Sequence, residues 1–213
     1  MAKICVIAEQ RDGKLKKSTY ELVGASAAAG NETHVLALGD QIADLGKDCG
    51  QWGAAKVHFI SAPELKFYSA EAYVQAALPV LKSIGPDVIL ASHTPTGRDF
   101  MPKLAARLGV GLASDCVQAN LSGGLAARRP VYAGKATAEV EFVGAGPKIA
   151  TIRPNALGMG KADPAKSAEV LNVKASFEGL KSKVVEVVKG ASARPDVTEA
   201  STVVSGGRAM KNA

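Results

Sequence analysis

Three short stretches of this chain hold residues whose types and spacing could do chemistry. The first, Thr94-Pro-Thr-Gly-Arg-Asp99, follows an apolar run and opens a helical one. Free N–H groups at a helix start, a glycine that lets the backbone come close and the Arg98 guanidinium could together hold a phosphate. The same residues suit a plain helix entrance, with Pro95 and Thr96 shaping the turn and Asp99 complementing the helix N-terminus. Arg98 would then make an ordinary surface or interface ion pair. The second stretch is Arg129-Pro-Val-Tyr-Ala-Gly-Lys135, followed after a further strand by Thr151-Ile-Arg-Pro-Asn155. Proline removes a ladder donor, so both segments should lie on edges or bend at the proline. Arg129, Tyr132, Lys135 and Arg153 would point outward, and Arg and Tyr together suit a subunit interface. In the third stretch the short apolar run Thr202-Val-Val reaches Gly206-Gly207 and then Arg208. Strand, glycine turn and a planar cationic donor suit the phosphates of a dinucleotide cofactor, with Gly207 and Arg208 as the contacts. A flexible tail would have the same composition.

The remaining candidates are sparse. His93 has no Ser, Cys or acidic neighbour in sequence and reads as structural, and His34 and His58 fall inside strand-like runs. Three isolated histidines make no metal site. Cys5, Cys49 and Cys116 are widely spaced, without a CxxC or Cys/His ligand pattern, and read as buried free thiols. No acid, base or nucleophile is assigned, and no metal ligand.

Strands alternating with helices must position these groups. Lys3–Glu9, Thr33–Asp40, Lys56–Ser61 and Asp87–Thr94 are short apolar runs of the kind buried on both faces of a parallel sheet. Between them come helical segments: one capped by Ser18 and stopped by Gly30, a small-residue one from Gln41 to Trp52, and one from Ser69 to Ile84 ended by Gly85-Pro86. A further helix runs from Gly97 to Leu108. This order predicts an α/β fold with an open parallel sheet and helices on both faces. After Gly109 four strand-like runs follow with glycine-rich turns and no helix between them. They predict an antiparallel β excursion, returning through Lys166–Ala175. Lys181–Val197 starts as a strand and turns Gly, Ala and Pro-rich, which reads as a linker. The expected division is an N-terminal α/β domain over 1–197 and the start of a second domain over 198–213.

Composition narrows the classes. Apolar residues are 47% and charged residues 22%, the balance of a globular domain. Aromatics are 5%, too few for a platform that stacks single-stranded nucleic acid. The net charge of +6 is interleaved with acids, its densest run being Lys14, Lys16 and Lys17, so no nucleic-acid partner is indicated. No stretch approaches the roughly 20 apolar residues of a membrane span, and the start has no signal-peptide architecture. The expected compartment is the cytoplasm, or a mitochondrial matrix after removal of a transit peptide.

KICVIAE, SHTPTGRDFMPKLAARLG, SDCV, RPVYAGKA, TIRPN and TEASTVVSGGR occur in the order found in the α subunit of electron transfer flavoproteins, including the related nitrogen-fixation type. The chain resembles that family over nearly its whole length. The resemblance implies a heterodimer in which the first α domain packs with a β subunit and the second holds FAD. It also implies that AMP binds in the β subunit, and gives no reason to place AMP at Thr94–Arg98. The implied role is a carrier rather than an enzyme with its own substrate. FAD takes electrons from dehydrogenases, such as the acyl-CoA dehydrogenases of fatty-acid β-oxidation, and passes them to a quinone reductase or another acceptor. Arg208 and Gly207 stand at the family's flavin motif, although Ala209 replaces its usual further glycine. A nucleotide-binding α/β domain takes on the order of 100 residues, so residues 198–213 are expected to be the beginning of a flavin domain, unable to hold FAD alone. A stand-alone adenine-nucleotide module or a purely structural partner domain are the alternatives.

Overall fold

The first apolar run becomes the central strand β1 (Lys3–Ile7) in a computed structural model that describes residues 1–11, 13–40, 45–188, 197 and 202–210. Its alternate residues face opposite ways: Ile4 and Val6 enter one buried cluster, Cys5 and Ile7 another. Apolar residues on both faces are what a strand covered on two sides requires. A two-residue hairpin, β2 (Gln10–Arg11) with β3 (Lys14–Leu15), leads to α1 (Lys17–Ala28). Then come β4 (Glu32–Gly39), α2 (Leu45–Gln51), β5 (Lys56–Ser61), α3 (Ala70–Ile84), β6 (Val88–Ser92) and α4 (Pro95–Leu108). Leu22, Val23 and Cys49 bring α1 and α2 onto one face of the sheet. Leu81, Phe100 and Leu104 bring α3 and α4 onto the other.

The chain runs outward from β1 through β4 to β5, then crosses back to set β6 on the other side of β1. The crevice between the C-terminal ends of β1 and β6 is therefore the topological switch point of an open α/β sheet. Beyond α4 the chain forms β7 (Leu112–Cys116), β8 (Gln118–Asn120), β9 (Ala126–Val131), β10 (Ala136–Val140), β11 (Lys148–Ile152) and β12 (Glu169–Val173). The seven-stranded sheet has the order β12-β5-β4-β1-β6-β11-β7, and all its pairings are parallel.

Several expectations are corrected in detail. The antiparallel excursion exists, but only β8, β9 and β10 form it. β7 and β11 join the parallel sheet, because Ile149–Ile152 is apolar or small on consecutive residues and is buried on both faces. A run of strand-forming residues reveals burial, not its partner. Pro130 sits on the middle strand of the small sheet rather than an edge, yet β8 pairs only with Ala126–Arg128, so beside Pro130 the ladder is one-sided. Pro154 lies past the end of β11, where the chain turns. Ser18 is within α1 rather than at its cap, which is Lys16 without a side-chain bond.

After β12 the chain folds back over α3. Phe177 and Leu180 pack into the second cluster, and the Gln75 amide brackets the Glu178 backbone at 2.9 and 3.0 Å. Residues 181–188 and 202–204 form no strand despite their apolar character, and Val185, Val187, Val188 and Val204 are exposed. Asp12, the start of the expected helix at 41–44, most of the expected linker at 189–196, residues 198–201 and 211–213 lie outside the described residues.

Candidate functional site

Thr94–Asp99 is the entrance of α4 itself. Thr94 is its N-cap, with Oγ1 accepting from the Gly97 N–H at 3.2 Å, and Pro95 occupies the first helical position, where no N–H is needed. The Thr94 hydroxyl donates to Glu9 Oε2 at 2.7 Å, and Glu9 Oε1 pairs with Lys16 Nζ at 2.9 Å. A carboxylate from the end of β1 therefore stands where a phosphate would have to sit. Gly97 serves packing: a Cβ there would run into the Ser92 carbonyl oxygen. Asp99 accepts from Lys103 and from the Tyr68 hydroxyl, and those two bonds hold its carboxyl below the usual range. The switch-point crevice beside it, lined by Ile7, Glu9, Tyr68, Ser92 and Phe100 among others, encloses about 60 Å³. Ligand pockets of drug-sized molecules run to about 300–1,000 Å³. The space is small for a nucleotide, and the turn serves as the capped entrance of α4.

One strand further along the same edge lies a cluster that local sequence could not reveal. The backbone sets it up: His93 N–H donates to Ile152 O at 2.7 Å, and Arg153 N–H donates to Cys116 O at 2.8 Å. Asp115 adopts φ +60°, a left-handed conformation that Asp tolerates better than most residues, where the β7–β11 register shifts. Its carboxylate receives Arg153 in bidentate fashion, Nε to Oδ1 at 2.8 Å and a terminal nitrogen to Oδ2 at 2.9 Å. His93 Nδ1 lies 2.9 Å from Thr151 Oγ1, and its Nε2 lies 3.6 Å from Asp115 Oδ1. The Arg153 bond holds the Asp115 carboxyl below its usual range despite partial burial. Burial pushes the His93 imidazole down; Asp115 opposes this, and Arg98, Arg153 and Arg129 add to it. The imidazole is thus neutral at pH 7.

Tyr132, Lys135 and Arg153 are exposed, and Arg129 is less so. Arg153 is locked onto Asp115. Arg129 is half-buried, and its Nε has no acceptor among the described residues. Tyr132 and Lys135 are exposed on the β9–β10 turn, where Tyr132 is 81% exposed. Tyr132, Ala133 and Gly134 have φ of +51°, +54° and +84°, three left-handed residues in succession of which one is glycine.

His34 and His58 are buried on adjacent strands, as a hydrogen-bonded pair at 2.9 Å, and His34 Nε2 reaches Glu32 Oε1 at 2.9 Å. Burial, with His34 and Lys56 adding to it, holds the His58 imidazole below its usual value. Cys5, Cys49 and Cys116 are buried free thiols, and burial raises each well above the thiol range. Among the described residues no group of His, Cys, Asp and Glu could hold a metal ion, and no helix is long and apolar enough to cross a membrane. Gly207 and Arg208 lie in an exposed turn in which Met210 N–H donates to Gly207 O at 3.0 Å. The space beside Gly207 is open, and Arg208 is exposed. Sequence reasoning missed Glu9, Asp115 and Glu21, whose partners lie tens of residues away.

A family model, the electron transfer flavoprotein domain, matches residues 4–178. The α subunit of the electron transfer flavoprotein of Bacillus subtilis (strain 168) is 35% identical over 214 residues, covering 99% of this chain and 65% of that protein. The α subunit from Syntrophomonas wolfei is 35% identical over 212 residues, covering 99% of this chain and 67% of that protein. The acryloyl-CoA reductase electron transfer subunit beta of Anaerotignum propionicum is 30% identical over 240 residues, covering 97% and 65%. This chain spans about two thirds of the length of these curated relatives.

Proposed function

The chain belongs to the electron transfer flavoprotein family, and from that premise we propose that it serves as the α subunit of a heterodimeric, FAD-containing electron carrier. The observation that carries this reading is identity of 35% to two α subunits over 99% of the chain. In it, residues 1–197 form the domain that packs with the β subunit, and 198–213 begin the flavin-binding part. Electrons come from dehydrogenases, acyl-CoA dehydrogenases of fatty-acid β-oxidation among them, and go to a quinone reductase or another acceptor. AMP belongs to the β subunit, in keeping with the carboxylate and the small crevice at Thr94–Arg98. The heterodimer works in the cytoplasm or a mitochondrial matrix.

FAD supplies the redox chemistry when bound, and the protein's part is to hold it and tune its charge. Gly207 and Arg208 fit that task chemically: open space beside a glycine, and a cationic fork. Arg208 is assigned to one edge of the cofactor and no more.

Co-expression with an electron transfer flavoprotein β subunit tests the reading. A stable 1:1 complex is expected, and failure of the folded chain to associate would overturn it. In a longer polypeptide continuing through the flavin part, Arg208→Ala should weaken FAD retention by about 1–3 kcal/mol, the range of a charge-assisted hydrogen bond. Unchanged FAD affinity and unchanged one-electron potentials would reduce Arg208 to a turn residue.

A further inference from the structure

Leu36, Leu38 and Ile60 line the face of the sheet that α3 covers, and by strand alternation His34 and His58 fall on that same face. With both rings neutral, their hydrogen bonds have a single arrangement. The Glu32 carboxylate accepts and cannot donate, so His34 Nε2 carries the proton that points at Glu32 Oε1. His34 Nδ1 is then a lone pair, and His58 Nε2 must donate to it across 2.9 Å. That leaves His58 Nδ1 as a lone pair too. Two rings in series thus turn a carboxylate on β4 into an acceptor on β5.

This last nitrogen is open. Among the described residues it has no hydrogen-bond partner, and it is not one of the sealed polar atoms without a partner, which are Ser92 Oγ and Arg129 Nε. It faces a groove of about 210 Å³ that His58 lines together with α3 and the segment after β12. Ala76, Pro79, Val80 and Ile84 form the helix side, and Val173 and Ala175 form the other. The two sides are tied by the Gln75 amide, whose nitrogen and oxygen are both engaged by the Glu178 backbone. Pro79 stands inside α3 and lacks the N–H that would have bonded the Gln75 carbonyl, and both residues line the groove. The inner groups are therefore acceptors on apolar walls, while Ser83, Lys174 and Ser176 are exposed at the rim. An apolar cavity of about 150 Å³ takes up benzene, so this space suits one ring with a small substituent. Such a pocket binds by its apolar walls and selects by its few polar groups.

We propose that the groove between α3 and the segment after β12 binds a one-ring molecule carrying a single O–H or N–H donor, of which phenol is the simplest, with His58 Nδ1 as the acceptor. The ring lies between Val80 and Val173, and its donor meets the imidazole lone pair. Glu32 and His34 do not touch the ligand; they position it by fixing the His58 tautomer. A carboxylate or phosphate is selected against, because it would set a lone pair against a lone pair. The site is separate from the residues assigned to FAD.

Nitrogen NMR of the histidine rings in the 213-residue chain at pH 8 should show His58 with a proton on Nε2 and none on Nδ1. Titration with phenol should saturate and shift the Nδ1 resonance, with nuclear Overhauser contacts from the phenol ring to the Val80 and Val173 methyls. Anisole keeps the ring and has no donor, and should bind at least tenfold more weakly. His58→Phe keeps an aromatic ring and removes the acceptor, so it should bind phenol and anisole alike. Where that variant does not fold, the wild-type comparison of phenol with anisole decides. A proton on Nδ1, equal affinity of the wild type for phenol and anisole, or phenol binding that never saturates or makes no contact with Val80 and Val173 would overturn the proposal.

Discussion

The Glu21 carboxylate on α1 accepts the backbone N–H of Asn155 at 2.8 Å, joining residues 134 positions apart. Its other oxygen accepts from Leu157 at 2.7 Å and from Gly158 at 3.1 Å. Glu21 is 2% exposed, so α1 buries an acid beside its apolar Leu22 and Val23. The acid closes the loop that follows β11 and so fixes the exit of the chain just after Arg153.

Removing Glu21 leaves three loop N–H groups without an acceptor. Glu21→Ala should cost about 3 kcal/mol, and Glu21→Gln, which keeps one acceptor oxygen, about half as much. Urea unfolding of the two variants measures this. A loss below about 0.5 kcal/mol for the alanine variant would show that water replaces the carboxylate freely.

Gly97 meets a different constraint. A Cβ would enter the Ser92 carbonyl oxygen, which is backbone and cannot rotate away. Gly97→Ala should therefore push α4 off β6 and cost about 2–3 kcal/mol, the scale of overpacking in a full core. Thr94→Ala, which loses the cap and its bond to Glu9, should cost about 1 kcal/mol. If the glycine variant melts with the wild type, the close approach of α4 to β6 is not a requirement of the fold.

How far such features were legible beforehand varied with how local their cause was. Lys56–Ser61 was readable to the residue because a continuous β-rich run is its own signal, and α3 because Ser69 and a left-handed Gly85 mark its ends. The partners of β7 and β11 were not, since their residue types show that a strand is buried and leave its neighbour open. Val184–Val188 has strand-forming residues and no ladder, because residue type gives a propensity and not a partner. The His93–Asp115–Arg153 cluster escaped notice because its members are 22 and 38 residues apart and come together only after β11 inserts between β6 and β7. The assignment of Gly207 and Arg208 rests on family resemblance, and their geometry alone would not single them out.

His58 gives the stability a pH dependence of definite sign. The His58 imidazole is held below its usual value, so the folded protein keeps it neutral while the unfolded chain takes up a proton near pH 6.5. Its contribution is therefore full above about pH 6.5 and falls away as the pH drops from there toward the folded value. His93 is shifted the same way and adds to the slope. Unfolding free energies at pH 7.5, 6.5, 5.5 and 5.0 should decline for the wild type and more shallowly for His58→Gln. Parallel profiles would show that the titration of His58 is not coupled to folding.

The β9–β10 turn poses the sharpest question about retained strain. Tyr132 and Ala133 both hold left-handed φ, at about 1–2 kcal/mol each for an L-residue outside glycine, and hairpins usually place Asn or Gly there. Tyr132 gains nothing from burial in exchange, being 81% exposed. Strain without local compensation is a sign of function elsewhere, and a rigid amphipathic ring on a projecting turn suits the centre of a protein contact. Tyr132→Gly separates the two effects. Relief of the left-handed φ, less the entropy that glycine loses on folding, should leave stability unchanged or raised by up to about 1 kcal/mol. Affinity for the β subunit should fall tenfold or more, because the ring is gone. Ala133→Gly should give the same stability gain and leave affinity intact. Titration of each folded variant with β subunit, alongside thermal melts, measures both. Should Tyr132→Gly be stabilised and still bind with wild-type affinity, the turn is merely strained, and the heterodimer contact must lie on another surface.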